Sequence, residues 1–507
     1  MYAKVYSCAL TGMSARRITV EADVSFGFPT FSIVGLPDTA VRESKERVRS
    51  AISNSGFKFP DKRVTVNLSP ADIRKEGSHF DLPIAICIML SAGIIDRKVI
   101  DEISFLGELN LDGSLNPISG ILPMLIGLKD EGISSVVIPF ENKGEASHVA
   151  GINIYPVMSL KQLADFIKGK NRIDLLKFDD TAESNIVDYP DFEDVTGQEN
   201  VKRGLQISAA AMHNVLLIGS PGSGKTMMAR RLPGILPPLS HEEKMELTKI
   251  YSISGLLNEK YPFVNERPFR TPDHTVTAAA LIGGGLKPRP GEVSLSHLGV
   301  LFLDEAAEFS RGALESLRKP MEDEVCTVTR VHGKITLPSK FLTVAAMNPC
   351  KCGYYGDERR ECSCSVGSIK KYRAKLSGPF IDRIDLMMNV KDVNYEELKS
   401  SQKGISSAEL RKGVMRARNM QNERFKTEDI TYNSQMNVSQ IKKYCELDSE
   451  SEKLMRAAFD KMKLSVRSYN KILKVSRSIA DMEGSERIRQ NHIAEAISYK
   501  CDIDNIL

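Results

Sequence analysis

The stretch Gly219-Ser-Pro-Gly-Ser-Gly-Lys-Thr226 decides the fold, because it satisfies the pattern G-x-x-x-x-G-K-[ST] in full. The apolar run Val215–Ile218 predicts a strand directly before it, and Met227–Leu232 predicts a helix directly after it. A strand, a glycine-rich loop and a helix in this order are typical of a phosphate-binding loop, whose backbone N–H groups surround phosphates. The nucleotide-binding residues predicted here are Gly219, Ser220, Pro221, Gly222, Ser223, Gly224, Lys225 and Thr226.

Two further apolar segments end in polar residues that suit a nucleotide site. Val300–Glu305 predicts a buried parallel strand that presents Asp304 and Glu305 at its carboxyl end. Asp304, together with the Thr226 hydroxyl, is expected to hold Mg²⁺, and Glu305 to polarise the attacking water. Phe341–Asn348 predicts a third strand. Together these segments predict an α/β fold that binds ATP and Mg²⁺, with Lys225 contacting the outer phosphates.

These motifs resemble the AAA+ ATPases, and Gly291–Glu305 resembles the magnesium-chelatase clade within them. The resemblance implies that Asn348 senses the γ-phosphate and that Val195 lies in the segment closing over adenine. It also implies that Arg383 is an arginine finger offered to a neighbouring subunit, and that Arg467 is the second sensor on a helical lid. A single arginine is more often part of a surface ion pair. The roles of Arg383 and Arg467 are therefore inferred from the order and spacing of the motifs.

Two insertions resemble those that distinguish the magnesium-chelatase clade. Arg267–Gly285 resembles the helix-2 insert, although Asp273 stands where many relatives have histidine. Cys326–Leu337 alternates β-branched residues and predicts a hairpin before the first sensor. Arg330 and Lys334 lie at its tip, where they either belong to a solvated turn or, in a ring of subunits, contact DNA phosphates in the pore.

Four of the nine cysteines are clustered as two C-x-C pairs: Cys350, Cys352, Cys362 and Cys364. Four thiolates suit a closed tetrahedral Zn²⁺ site with a structural role, because no coordination position is left open for a reaction. The alternative is a set of reduced surface thiols. Cysteine usage without an evident disulfide framework favours a reducing compartment.

Composition is consistent with a large globular chain and excludes few functions. The 507 residues are 42% hydrophobic and 26% charged, enough for about three domains. We expect a cytoplasmic protein without membrane contact, because no secretory segment is recognisable and the apolar run at 82–90 is too short to span a bilayer. A net charge of +4 does not by itself indicate nucleic acid.

The first 175 residues predict a separate α/β domain. Ile18–Ala22 and Arg63–Leu68 predict strands, and an apolar helix is expected from Pro83. Gly113–Lys143 resembles the protease domain of Lon, but Leu122 stands where Lon has its catalytic lysine. A Ser–Lys dyad needs that base, so the resemblance implies a binding or assembly domain without peptidase activity.

Four segments follow from these motifs and from the composition between them: a Lon-like domain at 1–175, an acidic linker at 176–192, an AAA+ core at 193–393 with the cysteine insertion at 350–364, and a helical lid at 394–507. Arg467, Lys471 and Lys474 follow helical spacing in the lid. They predict either a solvated face or a nucleic-acid contact.

The order of these segments resembles the YifB/ComM family over nearly the whole chain. The resemblance implies an ATP-driven homo-hexameric ring, similar to the bacterial branch-migration helicase of natural transformation, acting on single-stranded or branched DNA without sequence preference. A protein-remodelling ATPase like the magnesium chelatase motor subunit is the alternative. An ATP-dependent peptidase is a third hypothesis, which Leu122 disfavours.

Overall fold

The computed structural model describes residues 1–96, 102–179, 189–285, 289–330, 333–357, 359–392 and 404–500, without the side chains of residues 329–334. Its contacts divide the chain into two compact units. The first unit consists of Met1–Asn185 and His241–Asn265, and the second of Ile186–Ser240 and Glu266–Leu507.

The strands, in chain order, are β1 (Tyr2–Thr11), β2 (Ser14–Ser25), β3 (Thr30–Val34), β4 (Arg63–Ser69), β5 (Ile103–Phe105), β6 (Glu108–Leu109), β7 (Leu115–Asn116), β8 (Ser135–Pro139), β9 (Asn153–Val157), β10 (Val215–Ile218), β11 (Phe269–Arg270), β12 (Gly283–Gly284), β13 (Arg289–Pro290), β14 (Val300–Leu303), β15 (Val325–Arg330), β16 (Gly333–Pro338), β17 (Leu342–Met347) and β18 (Leu386–Asn389).

The helices are α1 (Thr39–Asn54), α2 (Asp81–Ser91), α3 (Ile121–Asp130), α4 (Lys143–Ala146), α5 (Leu160–Ile167), α6 (Glu199–Ala211), α7 (Lys225–Ala229), α8 (His241–Ser254), α9 (Ala278–Ile282), α10 (Glu292–Leu295), α11 (Arg311–Asp323), α12 (Val366–Arg373), α13 (Gly378–Ile381), α14 (Ser407–Arg424), α15 (Val438–Tyr444), α16 (Ser449–Lys461), α17 (Val466–Glu483) and α18 (Gln490–Ser498). None of these described helices is both long and apolar enough to cross a bilayer.

The first unit is built on a mixed sheet in the order β3-β4-β2-β1-β5-β8-β9. The pairs β1–β2 and β2–β4 are antiparallel, and the remaining pairs are parallel. Buried and less buried residues alternate along β4, as expected for a strand with one face on the core. Helix α2 packs on β1 and β2 and is buried along its whole length.

A helix from the middle of the chain completes this first unit. Helix α8 packs against α3, where Met245 contacts the same apolar cluster as Leu122. The Gly120 N–H donates to the Ser252 carbonyl at 3.0 Å. Residues 241–265, which lie within the predicted core segment, are therefore part of the first unit.

The second unit contains a parallel sheet in the order β11-β14-β17-β10-β18. Strands β10, β14 and β17 are buried at every residue, which explains their continuous apolar sequences. Helices α14 to α18 form the C-terminal helical region. The α/β class and the C-terminal helical region predicted from the sequence are confirmed.

Two local expectations are corrected. The helix predicted at Met227–Leu232 begins earlier and is shorter: α7 ends at Ala229, and a 3₁₀ turn follows at Leu232–Ile235, where Pro233 cannot continue an α-helix. Lys471 and Lys474 do not form a solvated face, because neither is exposed and their ammonium groups donate to the carbonyls of Ile384 and Ser434, at 2.6 and 2.8 Å.

Candidate nucleotide-binding site

Strand register brings the predicted nucleotide residues to one edge of the parallel sheet. Ile218, the last residue of β10, pairs with Met347 on one side and with Asn389 on the other. The glycine-rich loop and Asn348 therefore leave the sheet side by side. Strand β14 lies next to β17 and ends there as well, so that it delivers Asp304 to the same edge.

Lys225 lies at the centre of this edge. Its ammonium donates to the carbonyls of Gly219 and Ser220, both at 2.8 Å, and to Asn348 Oδ1 at 3.3 Å. Burial lowers the pKa of Lys225, and the nearby Asp304 offsets part of that effect. The lysine is thus held next to the loop by backbone oxygens, in the position where it can face phosphate oxygens.

Thr226 and Asp304 contact each other directly. The Thr226 hydroxyl donates to Asp304 Oδ2 at 2.8 Å, which places two oxygen ligands of the type that Mg²⁺ prefers side by side. Glu305 is exposed and has a φ of +50°, a strained conformation for a residue with a Cβ. Its N–H donates to Asp304 Oδ1 at 3.0 Å. We call Lys225, Thr226, Asp304 and Asn348 the P-loop cluster.

Asp392 is a site residue that the sequence analysis missed. The Ser220 hydroxyl donates to Asp392 Oδ1 at 2.7 Å, and the carboxylate also acts on the Lys225 ammonium. An acid shortly after an apolar strand was the available signal, since Asp392 follows β18 by three residues.

The loop itself fits a bound phosphate chain. A Cβ at Gly219 would lie 2.5 Å from the Val390 carbonyl, so only glycine allows the backbone this close to β18. The buried Ser223 hydroxyl has no protein partner among the described residues. With Lys225, Thr226 and Asp304 adjacent, the donor set suits ATP together with Mg²⁺.

Val195, expected near adenine, lies in the core beside the predicted lid. Its side chain is buried in the apolar cluster that includes α6 and α14, and its carbonyl accepts from the Lys202 ammonium at 2.7 Å. Contact with a base would therefore have to come from the backbone around Val195 and not from its side chain.

Arg383 and Arg467 lie together and share one carboxylate. The nearly buried Arg383 guanidinium donates to Glu322 and to the Pro379 carbonyl. Arg467, in the first turn of α17, is half exposed and pairs with Glu322 and Asp382, each at 3.2 Å. Arg383, Arg467, Glu322 and Asp382 form what we call the arginine cluster.

The arginine cluster lines a cavity of about 850 Å³ between α11 and the lid. Other charged side chains on its wall include Lys340, Lys471 and Asp385. Among the described residues, the hydrogen bonds of Arg383 and Arg467 end at Glu322, Asp382 and the Pro379 carbonyl and not at the P-loop cluster. The P-loop cluster and the arginine cluster therefore occupy different places on one chain.

The four clustered cysteines converge. The sulfur atoms of Cys350, Cys352, Cys362 and Cys364 all lie within 4.8 Å of one another, and three of the separations are 3.3, 3.6 and 3.6 Å. Zn–S bonds of about 2.3 Å in a tetrahedron place sulfur atoms about 3.8 Å apart. The donor set therefore fits Zn²⁺.

The cysteine loop touches the phosphate-binding loop. Gly353 has a φ of +90°, and a Cβ there would come within 2.6 Å of the Pro221 ring. At the beginning of the cysteine loop, the buried Cys350 follows Asn348 by two residues. The cysteine cluster is thus packed against both the nucleotide loop and the predicted sensor.

The predicted hairpin exists, with six residue pairs from Val325↔Pro338 to Arg330↔Gly333. Residues 331–332 and the side chains of Arg330 and Lys334 lie outside the described part of the chain. In the helix-2 insert, α9 is followed by the short pair β12–β13.

Comparison with known proteins covers all of these elements. Residues 191–398 match the family "Magnesium chelatase, subunit ChlI", residues 20–142 match "Subunit ChlI of Mg-chelatase", and residues 404–500 match its C-terminal part. "Competence protein ComM" of Haemophilus influenzae is 40% identical over 505 residues, covering 98% of this chain and 97% of the relative. The chain belongs to the YifB/ComM family of magnesium-chelatase-like AAA+ proteins.

Other relatives agree with this placement. The Escherichia coli protein YifB is 40% identical over 508 residues, which cover 99% of this chain and 97% of the relative. Lon protease of Buchnera aphidicola is 24% identical over 172 residues, about 32% of this chain and 22% of the relative. This YifB/ComM chain is thus also similar to a Lon protease over about a third of its length.

In the first unit of this YifB/ComM chain, Leu122, Ser78 and Lys75 have structural roles. Leu122 is fully buried in α3, and its N–H donates to Glu145 Oε1 at 3.0 Å. The Ser78 hydroxyl donates to Glu108. Lys75, three residues earlier, is buried and donates to the Pro70 carbonyl, so Ser78 and Lys75 have different partners.

Proposed function

We propose that this chain is the subunit of an ATP-driven homo-hexameric ring that moves along DNA and acts on single-stranded or branched DNA without sequence preference. The observation that carries the proposal is the P-loop cluster, where the charged and hydroxyl groups needed for ATP already contact one another. The ComM relative, which covers nearly the whole chain, supports DNA as the substrate through its role in competence.

At the P-loop cluster, Lys225 would bind the outer phosphates, and Thr226 and Asp304 would hold Mg²⁺. When bound, Mg²⁺ neutralises charge that develops on the phosphates during transfer. Exposed Glu305 would take up the proton of the attacking water, and Asn348, which already contacts Lys225, would report whether the γ-phosphate is present.

The arginine cluster would act on the nucleotide of a neighbouring subunit. Arg383 and Arg467 are both tied to Glu322, so binding a phosphate in their place would compete with that carboxylate. Since neither arginine contacts the P-loop cluster of its own chain, a ring supplies the missing half of each site. This division of the site supports hydrolysis that depends on assembly.

The hairpin β15–β16 would grip DNA through Arg330 and Lys334. It connects α11 to β17, and Asn348 directly follows β17, so a change at the nucleotide would move the hairpin. Contacts to phosphates carry no base information, and the binding would be independent of sequence and sensitive to salt.

The cysteine cluster would hold one structural Zn²⁺ per chain. Four thiolates would close the coordination sphere, and the metal would stiffen the loop that packs on Pro221. Thiols kept free for metal fit a reducing, cytoplasmic location.

A protein-remodelling ATPase is the second candidate. It is favoured by the matches to magnesium chelatase subunit ChlI, which together extend over most of the chain from residue 20 to residue 500. Such a motor would need the same P-loop and arginine clusters but no DNA.

ATPase activity with and without DNA separates the two candidates. The parent protein should hydrolyse ATP, and both a single strand and a four-way junction should stimulate it, whereas Lys225→Ala should abolish activity in all conditions. Replacing Arg330 and Lys334 with alanine should keep basal activity and remove the stimulation. The matched control replaces two exposed lid lysines, Lys453 and Lys461, and should behave like the parent.

The salt dependence of DNA binding gives a second reading of the same variants. Loss of Arg330 and Lys334 should reduce the slope of log binding constant against log salt concentration by the amount that corresponds to up to about two phosphate contacts. If the parent protein hydrolyses ATP at the same rate with and without DNA, the DNA motor is contradicted and protein remodelling is favoured. If DNA stimulates the ATPase activity of the double variant as strongly as that of the parent, the hairpin is not the element that binds DNA.

A further inference from the structure

Two phenylalanines in the first unit are almost completely exposed. Phe26 and Phe28 expose 92% and 91% of their surface, whereas the next most exposed phenylalanine among the described residues, Phe178, exposes 48%. They lie in the turn between β2 and β3, and β3 is the edge strand of its sheet. Large apolar groups concentrated at one exposed place usually mark a binding surface.

Cations lie close to this turn. The Lys62 ammonium lies 4.7 Å from the centre of the Phe26 ring, and exposed Arg63 follows it at the start of β4, beside the same turn. Next to the turn, the rings of Phe31 and Phe59 contact each other in a tilted arrangement with centres 5.7 Å apart, and the Arg49 guanidinium lies 5.7 Å from the Phe59 ring. We call this surface the aromatic–basic rim; it comprises Phe26, Phe28, Phe59, Arg49, Lys62 and Arg63.

We propose that the aromatic–basic rim binds single-stranded DNA by stacking bases on Phe26 and Phe28 while Lys62 and Arg63 contact the phosphates. This inference rests on the proposed DNA motor, because it adds a second DNA contact remote in sequence from the hairpin. Exposed rings combined with cations are the means by which proteins bind single strands without reading sequence.

Charge favours a nucleic acid over a second protein chain at this surface. The centre of a protein interface is depleted in lysine, whereas the rim places Lys62 directly beside the Phe26 ring. The neighbouring carboxylate of Asp61 forms an ion pair with Lys58 at 3.0 Å. It therefore does not neutralise Lys62 or Arg63. A polyanion with flat bases satisfies both the rings and the cations.

The test compares two probes that carry the same charge but differ in bases. Binding of the full chain to a fluorescent 30-mer of thymidylate is measured beside binding to an abasic 30-mer of the same backbone. Changing both Phe26 and Phe28 to alanine should weaken binding of the thymidylate strand by about tenfold to a hundredfold and leave the abasic strand unaffected. Changing Lys62 and Arg63 to alanine should weaken binding of both probes.

A matched control replaces two exposed apolar side chains elsewhere in the first unit, Leu111 and Met158, with alanine, and should bind both probes like the parent. Basal ATPase and the mass of the assembly should be unchanged in every variant. If the parent binds neither probe, the proposed DNA function itself fails.

If the parent binds thymidylate and the phenylalanine variant binds it equally well, the rim inference is wrong while the DNA motor stands. A phenylalanine variant that no longer assembles would also overturn the inference, because the rim would then be an interface between copies of the chain.

Discussion

The two units of the molecule both retain the fold of an enzyme family, but they use their buried charges differently. In the second unit, Lys225 and Asp304 are held at an open sheet edge beside hydroxyl and amide groups that can bind a ligand. In the first unit, Asp81 is buried against Arg47, and Glu145 caps the N–H of Leu122.

A buried charge alone therefore does not identify a reactive site. Burial raises the pKa of Glu145 to about 7 and that of Asp81 to about 6, and it lowers the pKa of Lys225. What distinguishes the second unit is the convergence of several ligand donors on one strand edge. The comparison predicts that changes in the second unit affect catalysis, and that changes in the first affect stability.

The largest expected effect concerns Arg383. Arg383→Ala should reduce ATPase activity on the order of 10³-fold, as for arginine fingers in GTPases, because a charge on the transferred phosphate would lose its partner. Mixing Arg383→Ala subunits with Glu305→Gln subunits should restore part of the activity at interfaces that combine an intact arginine and an intact glutamate.

Co-assembly of these two variants is checked by native mass spectrometry before the assay. Mixed rings without any recovered activity would mean that Arg383 acts within its own chain or only braces α11 through Glu322. Asp382→Asn, which changes the neighbouring carboxylate but not the finger, should retain most of the activity.

The cysteine cluster should show an effect on both metal content and stability of the second unit. Changing Cys352 and Cys362 to serine should lower zinc from about one ion per chain to none, because two of four ligands are lost. The unfolding temperature should fall by several degrees, at about 2–4 °C per kcal/mol for a domain of this size. Ser363→Ala, an exposed change between the pairs, is the control.

Elemental analysis and thermal unfolding decide this prediction. If the parent protein is produced with zinc in the medium and the purified protein contains none, a zinc site is contradicted. A double variant with unchanged stability would contradict it as well.

A smaller effect, confined to stability, is expected at Glu145 in the first unit. The folded-state pKa is raised from 4.5 to about 7, so the folded chain retains a proton there that the unfolded chain loses. This contribution is fully present below pH 4.5 and is lost as the pH rises through about 7. Glu145→Gln, which stays neutral, should therefore match the parent near pH 5 and exceed it by roughly 1–3 kcal/mol at pH 8.

Thermal unfolding of the full chain between pH 5 and pH 8 measures this difference. Glu141→Gln, at an exposed position four residues earlier, should show no such trend. A Glu145→Gln advantage that is the same at all pH values would argue that packing and not titration is responsible.

The smallest effect is expected for Ser78. The parent protein should not cleave casein or short peptides, with or without ATP, because Leu122 cannot act as a base. Ser78→Ala should leave ATPase unchanged and cost about 1 kcal/mol in stability through the lost hydrogen bond to Glu108. Peptide cleavage that disappears in Ser78→Ala would show that the first unit has retained enzymatic chemistry after all.

The sequence predicted the strands that carry the nucleotide motifs closely, because a buried parallel strand is a continuous apolar run. Val215–Ile218 agrees at both ends, and Phe341–Asn348 is longer than the observed Leu342–Met347 by one residue at each end. The family and its fold were likewise available from motif order, which three family matches and the full-length relatives confirm.

Long-range contacts could not be predicted in the same way. Nothing local to 241–265 shows that this segment packs with α3, because its partners lie more than a hundred residues earlier. The sharing of Glu322 by Arg383 and Arg467 and the role of Asp392 at Ser220 depend on side chains that meet only in three dimensions. The roles of the individual site residues therefore stay predictions for the experiments above.

Residues 241–265 belong to the first unit although they follow β10 in the chain, and this order matters during protein synthesis. A ribosome releases the chain from its N-terminus, and domains generally fold as they emerge. The first unit cannot acquire α8 until residue 265 has left the ribosome, by which time β10 and the phosphate-binding loop are already outside. Strand β10 therefore leaves the ribosome before the first unit can be completed, and it stays unpaired until its sheet neighbours β17 and β18 follow.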